Sequence, residues 1–154
     1  MKNFIFIFLT GTLISFGQTL TVFVNNSINI NNGSSLSVDG LELAPDLDYV
    51  INGPNSILRD QNPIVEDNST SISRVYVLST NLDNYSGILK FSYLDSELNS
   101  IPEDNLVLEV LSDGIWKSVV PDRDQTNNIL TYNFQDLDFT SVTASNTNST
   151  LTIN

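Results

Sequence analysis

The chain has 154 residues, 18 of them acidic against six Lys and Arg, for a formal net charge of −12, and it contains neither Cys nor His. Those two absences exclude a thiolate nucleophile, a Ser-His-Asp triad, a disulfide framework and a Zn²⁺ site built on nitrogen or sulfur. The acidic balance repels nucleic-acid phosphates and anionic lipid surfaces, so neither is expected as a partner.

The first segment, residues 1–17, has the layout of an export signal. Lys2 supplies a positive start, and Phe4 to Leu9 with Leu13 and Ile14 supply an apolar middle. The run is shorter than the roughly 20 apolar residues of a permanent span, and no basic stop-transfer flank follows Gln18. Cleavage is expected between Gly17 and Gln18, and with no cysteine to acylate no lipid anchor is expected there. The expected location is secreted, extracellular or at the cell surface, with the periplasm as alternative, and no stable membrane insertion after cleavage. Residues 1–17 carry Lys2 and none of the carboxylates, so the rest of the chain is one unit more negative than the whole. A hydrophobic fraction of 40% suits one globular domain held by its core, expected over residues 18–145.

Along that domain the apolar positions alternate with polar ones, and Asn, Asp, Ser and Gly crowd the gaps between them. Leu20–Val24 and Ser27–Ile30 begin the series. Asn32-Gly33 turns the chain into Ser35–Val38, and Asp39-Gly40 is a second turn pair, or a bulge, before Leu41–Leu43. Tyr49–Ile51 is followed by Asn52-Gly53-Pro54-Asn55, with Ser56–Leu58 as its expected hairpin partner. Residues 60–70 read as a loop, Ile72–Ser79 and Gly87–Leu94 as two separate strands, and 95–104 as a polar excursion. Ser112-Asp113-Gly114 joins the strand through Leu106, Leu108 and Val110 to Ile115–Val120 as a hairpin. Leu130, Tyr132 and Phe134 alternate beyond Pro121–Asn128, and Phe139–Ala144 closes the set. Strands at intervals of about 8–12 residues predict an all-β fold: an antiparallel two-layer β-sandwich, Ig- or fibronectin-III-like, of about 8–10 short strands. Its core is expected to hold Leu89, Phe91, Tyr93, Leu106, Leu108, Val110, Trp116, Leu130, Tyr132 and Phe134. Residues 146–154 read as a low-complexity tail or the start of a further module.

Several stretches, among them Ser35–Leu41, Tyr49–Asn55, Ser73–Tyr76, Tyr93–Asn99, the hairpin ending in Trp116 and Asp124–Asn128, resemble a module that recurs in exported proteins of the Bacteroidota. The resemblance covers most of the domain, in strand-and-turn signatures that carry no chemistry. It implies an extracellular structural or adhesive role and no established reaction. Such proteins often end in a sorting domain for type IX secretion. Nothing after Ala144 is long enough to be one, so a fragment and a stand-alone form both stay open.

The densest set of oxygen ligands is Asp95, Glu97, Asn99, Glu103 and Asp104, a candidate Ca²⁺ site because calcium takes about six to eight oxygens. The spacing of Asp95, Glu97 and Asn99 resembles the start of a calcium loop, but the glycine turn and the distal bidentate Glu are missing. The plainer reading is a solvated acidic loop with local backbone hydrogen bonds. Asp122 and Asp124 flank Arg123 and favour an ion pair within a turn. Glu97 with Glu103, or Asp95 with Asp104, has the composition of a glycosidase pair, yet carboxylate pairs are cheap coincidences among 18. Trp116, Tyr76, Tyr49 and Tyr85 would stack on sugar rings if exposed, while packing is the commoner fate of a strand Trp. Arg74, between Ile72 and Tyr76, is expected as a partly buried partner of one of the acidic loops.

The expectation is therefore a non-catalytic, exported structural or adhesive module whose partner is an extracellular protein or a glycan. It needs no cofactor, calcium being the one candidate. A calcium-dependent carbohydrate- or surface-binding domain is the alternative, and a small carboxylate hydrolase a weaker one.

Overall fold

Two ribbons of paired strands, each turning a corner from one layer to the other, build the sandwich. The computed structural model describes residues 19–66 and 69–151; the expected export signal lies outside the described residues. Strands β1 (Thr19–Val22), β2 (Ser27–Ile30), β3 (Leu36–Val38), β4 (Leu41–Pro45), β5 (Tyr49–Asn52) and β6 (Asn55–Asp60) form the N-terminal half. Strands β7 (Val65–Glu66), β8 (Ser69–Thr70), β9 (Val75–Ser92), β10 (Leu106–Ser112), β11 (Ile115–Val119), β12 (Asp122–Asp124) and β13 (Ile129–Asn146) follow. Every pairing is antiparallel. No described helix is long and apolar enough to cross a membrane.

The central ribbon is β9 with β13, each 18 residues long. The sequence suggests four short strands here because polar runs interrupt the apolar alternation at residues 80–86 and 135–138. The structure keeps pairing through those runs and absorbs them as bulges, with register shifts between Phe134 and Ser141. Asn84 (φ 53°) and Asp136 (φ 51°) enter the left-handed region at the bend. Gly87 sits there too: a Cβ on it would meet the Ala44 carbonyl oxygen at 2.5 Å. Beyond the bend the two halves of β9 face each other, so Tyr76 meets Phe91 edge-to-face at 5.6 Å between ring centroids. Strands that switch layers at bulged corners are one of the standard ways to close a sandwich.

The second ribbon corrects the expected hairpin of residues 49–58. β5 pairs with β2, and β6 pairs with β1 and β9. The connection at Gly53 crosses so tightly over the β1–β2 turn that a Cβ there would lie 2.0 Å from the Phe23 carbonyl oxygen. The segment Asn52-Gly53-Pro54-Asn55 is thus a corner between layers and not a hairpin loop. Two hairpins turn on two-residue Asp-Gly loops, Asp39-Gly40 and Asp113-Gly114. All four of these residues have positive φ, as a type I′ turn requires.

Nine of the ten expected core residues are buried, and Tyr132 is half-buried against the core. Trp116 is buried outside the main apolar cluster, because its cross-strand partner is Leu111. Alternation from Leu111 through Glu109 to Val107 puts Trp116 on the face turned away from Leu108 and Val110. β10 is covered on both faces: Val107 and Glu109 are as buried as the core-facing residues. Residues 146–151, which read in sequence as a tail, run back beside β10. The Thr147 amide donates to the Asn105 carbonyl, and Leu151 is fully buried.

Candidate functional site

The 95–104 segment does not gather its oxygens around one point. Glu97, in a 3-10 turn over Asp95–Glu97, points inward and is buried. Its Oε2 accepts from Arg74 Nε at 2.7 Å and from the Leu94 amide at 2.9 Å. Its Oε1 accepts from Arg74 Nη2 at 3.0 Å and from Arg59 Nη2. The remaining residues have separate partners. Asp95 accepts from Asn128 at 2.6 Å, Glu103 from the Tyr93 hydroxyl at 3.0 Å and Asp104 from Gln125 at 2.6 Å. Asn99 accepts from Ser73 at 3.0 Å and donates to the Ser71 carbonyl at 2.8 Å. Among the described residues no three acidic side chains stand where they could hold a metal ion together.

Arg74 is the partner of the acidic loop that its strand context suggests, and it does more than pair with Glu97. Nη1 donates to the Asp39 carbonyl at 2.8 Å and to the Tyr76 hydroxyl at 3.0 Å, and Tyr76 donates to the same carbonyl at 2.6 Å. Arg59 bridges Glu97 to the Asp39 carboxylate, 3.1 Å from its Nη1. The cluster therefore ties the β3–β4 turn, β6, the start of β9 and the 95–97 turn to one another. Burial pulls the Arg74 guanidinium down, but its bonds to Glu97 and Tyr76 outweigh that and leave it raised. Burial also raises Tyr76. Two cations balance two carboxylates, which is the chemistry of a brace.

Glu109 is a second buried carboxylate, and sequence reasoning did not single it out. Its Oε2 accepts from Ser118 at 2.7 Å, and its Oε1 from Ser145 and from the Leu151 amide at 3.1 Å. It fastens the chain's return beside β10 to the sheet. The signal was a single acidic residue inside an otherwise apolar strand.

Open polar groups collect elsewhere, at the corner where β5 and β6 meet the middle of β9. A concavity of about 210 Å³ there is lined by residues 49–52, Asn55 and residues 80–83. Asn55 is only 4% exposed, and its Oδ1 accepts from the Ser56 amide at 2.8 Å, the Thr80 amide at 3.2 Å and Ser79 at 3.4 Å. Two main-chain donors fix which end of the amide is oxygen. The Nδ2 end donates to no group among the described residues. Asp83, exposed on the rim, likewise has no partner for its carboxylate among them, whereas its carbonyl accepts from the Tyr49 hydroxyl at 2.9 Å. Burial, then Asp83 and Asp138, push Tyr49 up to about 12. Its ring stands edge-on to Tyr85 at 5.3 Å. Of the four aromatics considered in sequence only Tyr49 lines this concavity; Tyr76, Tyr85 and Trp116 are buried. Asn55 itself was hidden inside a turn signature.

The architecture defines the class, an all-β sandwich of antiparallel sheets. No protein-family model and no curated protein matches the chain.

Proposed function

We propose that the chain is an exported, non-catalytic β-sandwich module with a structural or adhesive role at the cell surface or outside the cell. The observation that carries this reading is the use of its interior charges. Arg59, Arg74, Glu97 and Asp39 are bound to one another and brace loops against the sheets, and Glu109 fastens residues 146–151. Carboxylates engaged in this way serve rigidity, and a rigid scaffold with loops at its ends suits presentation or adhesion. The pattern of residues 1–17 supports export, and the resemblance to Bacteroidota modules supports a surface location. The partner is an extracellular protein or a glycan.

Fractionation of a bacterial host expressing the chain from Met1, with intact-mass analysis, tests export. The expected product begins at Gln18 outside the cytoplasm; a full-length product retained inside overturns export. Beads coated with the purified product test adhesion. Retention on cell surfaces above bare beads is expected, and equal retention removes the adhesive role.

A further inference from the structure

We propose that the concavity at the β5–β6–β9 corner binds one neutral sugar ring, with Asn55 Nδ2 as donor and the Asp83 carboxylate as acceptor. The proposal rests on the reading of the chain as a binding or structural module and adds a ligand class to it.

The first ground is Asn55. The residue is buried, but its amide nitrogen is not sealed in: the one enclosed side-chain atom without a partner among the described residues is Arg59 Nε, and Asn55 lines the open concavity. Here the oxygen accepts three hydrogen bonds, while the amide nitrogen, held in place by them, is left for whatever enters the concavity. The position of the donor is set before any ligand arrives, which lowers the ordering cost of binding.

The second ground is the donor and acceptor pattern of the lining. No Lys or Arg lines the space, and Asp83 is its one carboxylate. An ammonium group offers donors only and leaves Asn55 Nδ2 unanswered. A ligand carboxylate offers acceptors only and meets Asp83 uncompensated, in a chain of net charge −12. A ring bearing several hydroxyls offers both kinds of group, acceptors for Asn55 and donors for Asp83. The flanking amides of Asn52 and Asn81 serve neighbouring hydroxyls in the same two ways. Tyr49 and the exposed Val50 are the apolar side chains open to a ring's C–H face, while Ile51 and Leu82 are buried in the core beneath.

The third ground is size. The volume of about 210 Å³ lies below the roughly 300 Å³ at which pockets for drug-sized ligands begin. It fits one ring, such as the end or a branch of a glycan. Binding is expected to be independent of calcium, since a single carboxylate lines the site.

The test is a titration of the full ¹⁵N-labelled chain followed by ¹H–¹⁵N spectra. The neutral probes are the methyl glycosides of glucose, galactose and mannose. Methyl glucuronide, glucosamine and N-acetyl-trialanine amide are the comparison probes. Saturable shifts of the Asn55 side-chain amide and of Asn81 are expected with at least one neutral glycoside, unchanged by chelator. Asn55→Asp keeps the oxygen and turns the donor into an acceptor, and about tenfold weaker binding is expected. Asp83→Asn and Asn81→Ala, both at exposed positions, are expected to weaken binding several-fold in a fold that stays intact. Saturation by none of the three neutral glycosides overturns the proposal. So does tighter binding of glucuronide, glucosamine or the tripeptide, dependence on calcium, or equal affinity in all three variants. These outcomes are read separately from export and bead retention, so either reading can fail while the other stands.

Discussion

Replacing Glu97 by Gln removes the charge on which Arg74 and Arg59 converge and keeps the side chain's size. Arg74 and Arg59 are 7% and 11% exposed at the side chain, so water cannot replace the lost carboxylate cheaply. Breaking a buried pair by removing one partner typically costs about 3–5 kcal/mol. Asp39 still faces Arg59, and its carbonyl still accepts from Arg74, so the low end, about 3 kcal/mol, is expected. For a chain of this size that lowers the melting midpoint by roughly 6–12 °C. Urea titration gives the free energy, and a double-mutant cycle with Arg74→Ala gives the coupling, expected above about 1 kcal/mol. A loss below about 1 kcal/mol, the range of an exposed ion pair, would refute the brace, as would additivity in the cycle. The same melts check the calcium alternative. With both Glu97 oxygens on guanidinium groups, millimolar calcium is expected to leave the wild-type midpoint unchanged; a rise would restore the 95–104 loop as a cation site.

Gly40→Ala is expected to destabilise by more than about 1 kcal/mol in chemical denaturation, because φ is +97° and a Cβ would come within 2.8 Å of Arg74 Nη1. Glu109→Ala strands the Ser118 and Ser145 hydroxyls and the Leu151 amide, at a cost of about 2–4 kcal/mol, and hydrogen exchange at Leu151 should accelerate. Exchange unchanged at Leu151 would mean that other contacts hold that segment. Tyr49 is raised to about 12 from 10.0, and burial raises Tyr76, Tyr85 and Tyr93 as well. A phenol whose folded pKa is raised stabilises fully below its unfolded value and loses that contribution as pH climbs through the folded one. Melting midpoints should therefore fall between pH 10 and 12, together with the rise of tyrosinate absorbance; titration of these four at pH 10 with no loss of stability would contradict it.

Much of the layout was legible because it rests on local rules. Alternation set which face of each short strand turns inward, and two Asp-Gly pairs specified type I′ hairpins whose φ values few other residues tolerate. A charged residue in an apolar strand marked Arg74 as an internal partner. What stayed hidden depends on contacts distant in sequence. Glu97 lies 23 residues from Arg74 and 38 from Arg59, so no spacing rule distinguishes it from its solvated neighbours in the same loop. The polar runs at 80–86 and 135–138 looked like strand ends because each was read alone. Facing each other, they become bulges in a ribbon that turns its corner there. Trp116 left the expected core because hairpin register, not hydrophobicity, decides a strand residue's face.

By itself, then, the sequence determined the class of the fold, its two Asp-Gly turns, the part of its apolar core formed by nine of the ten residues expected there and the chemistries that a chain without Cys or His lacks. Those follow from residue type and short-range period. Only the tertiary structure decided which carboxylates are used up and which stay open. Glu97 and Glu109 are claimed by groups far along the chain, while Asn55 and Asp83 are brought to one concavity with ends unpaired among the described residues. Hydrogen-bond partners are assigned by proximity in space, and the layer-crossing ribbons set that proximity.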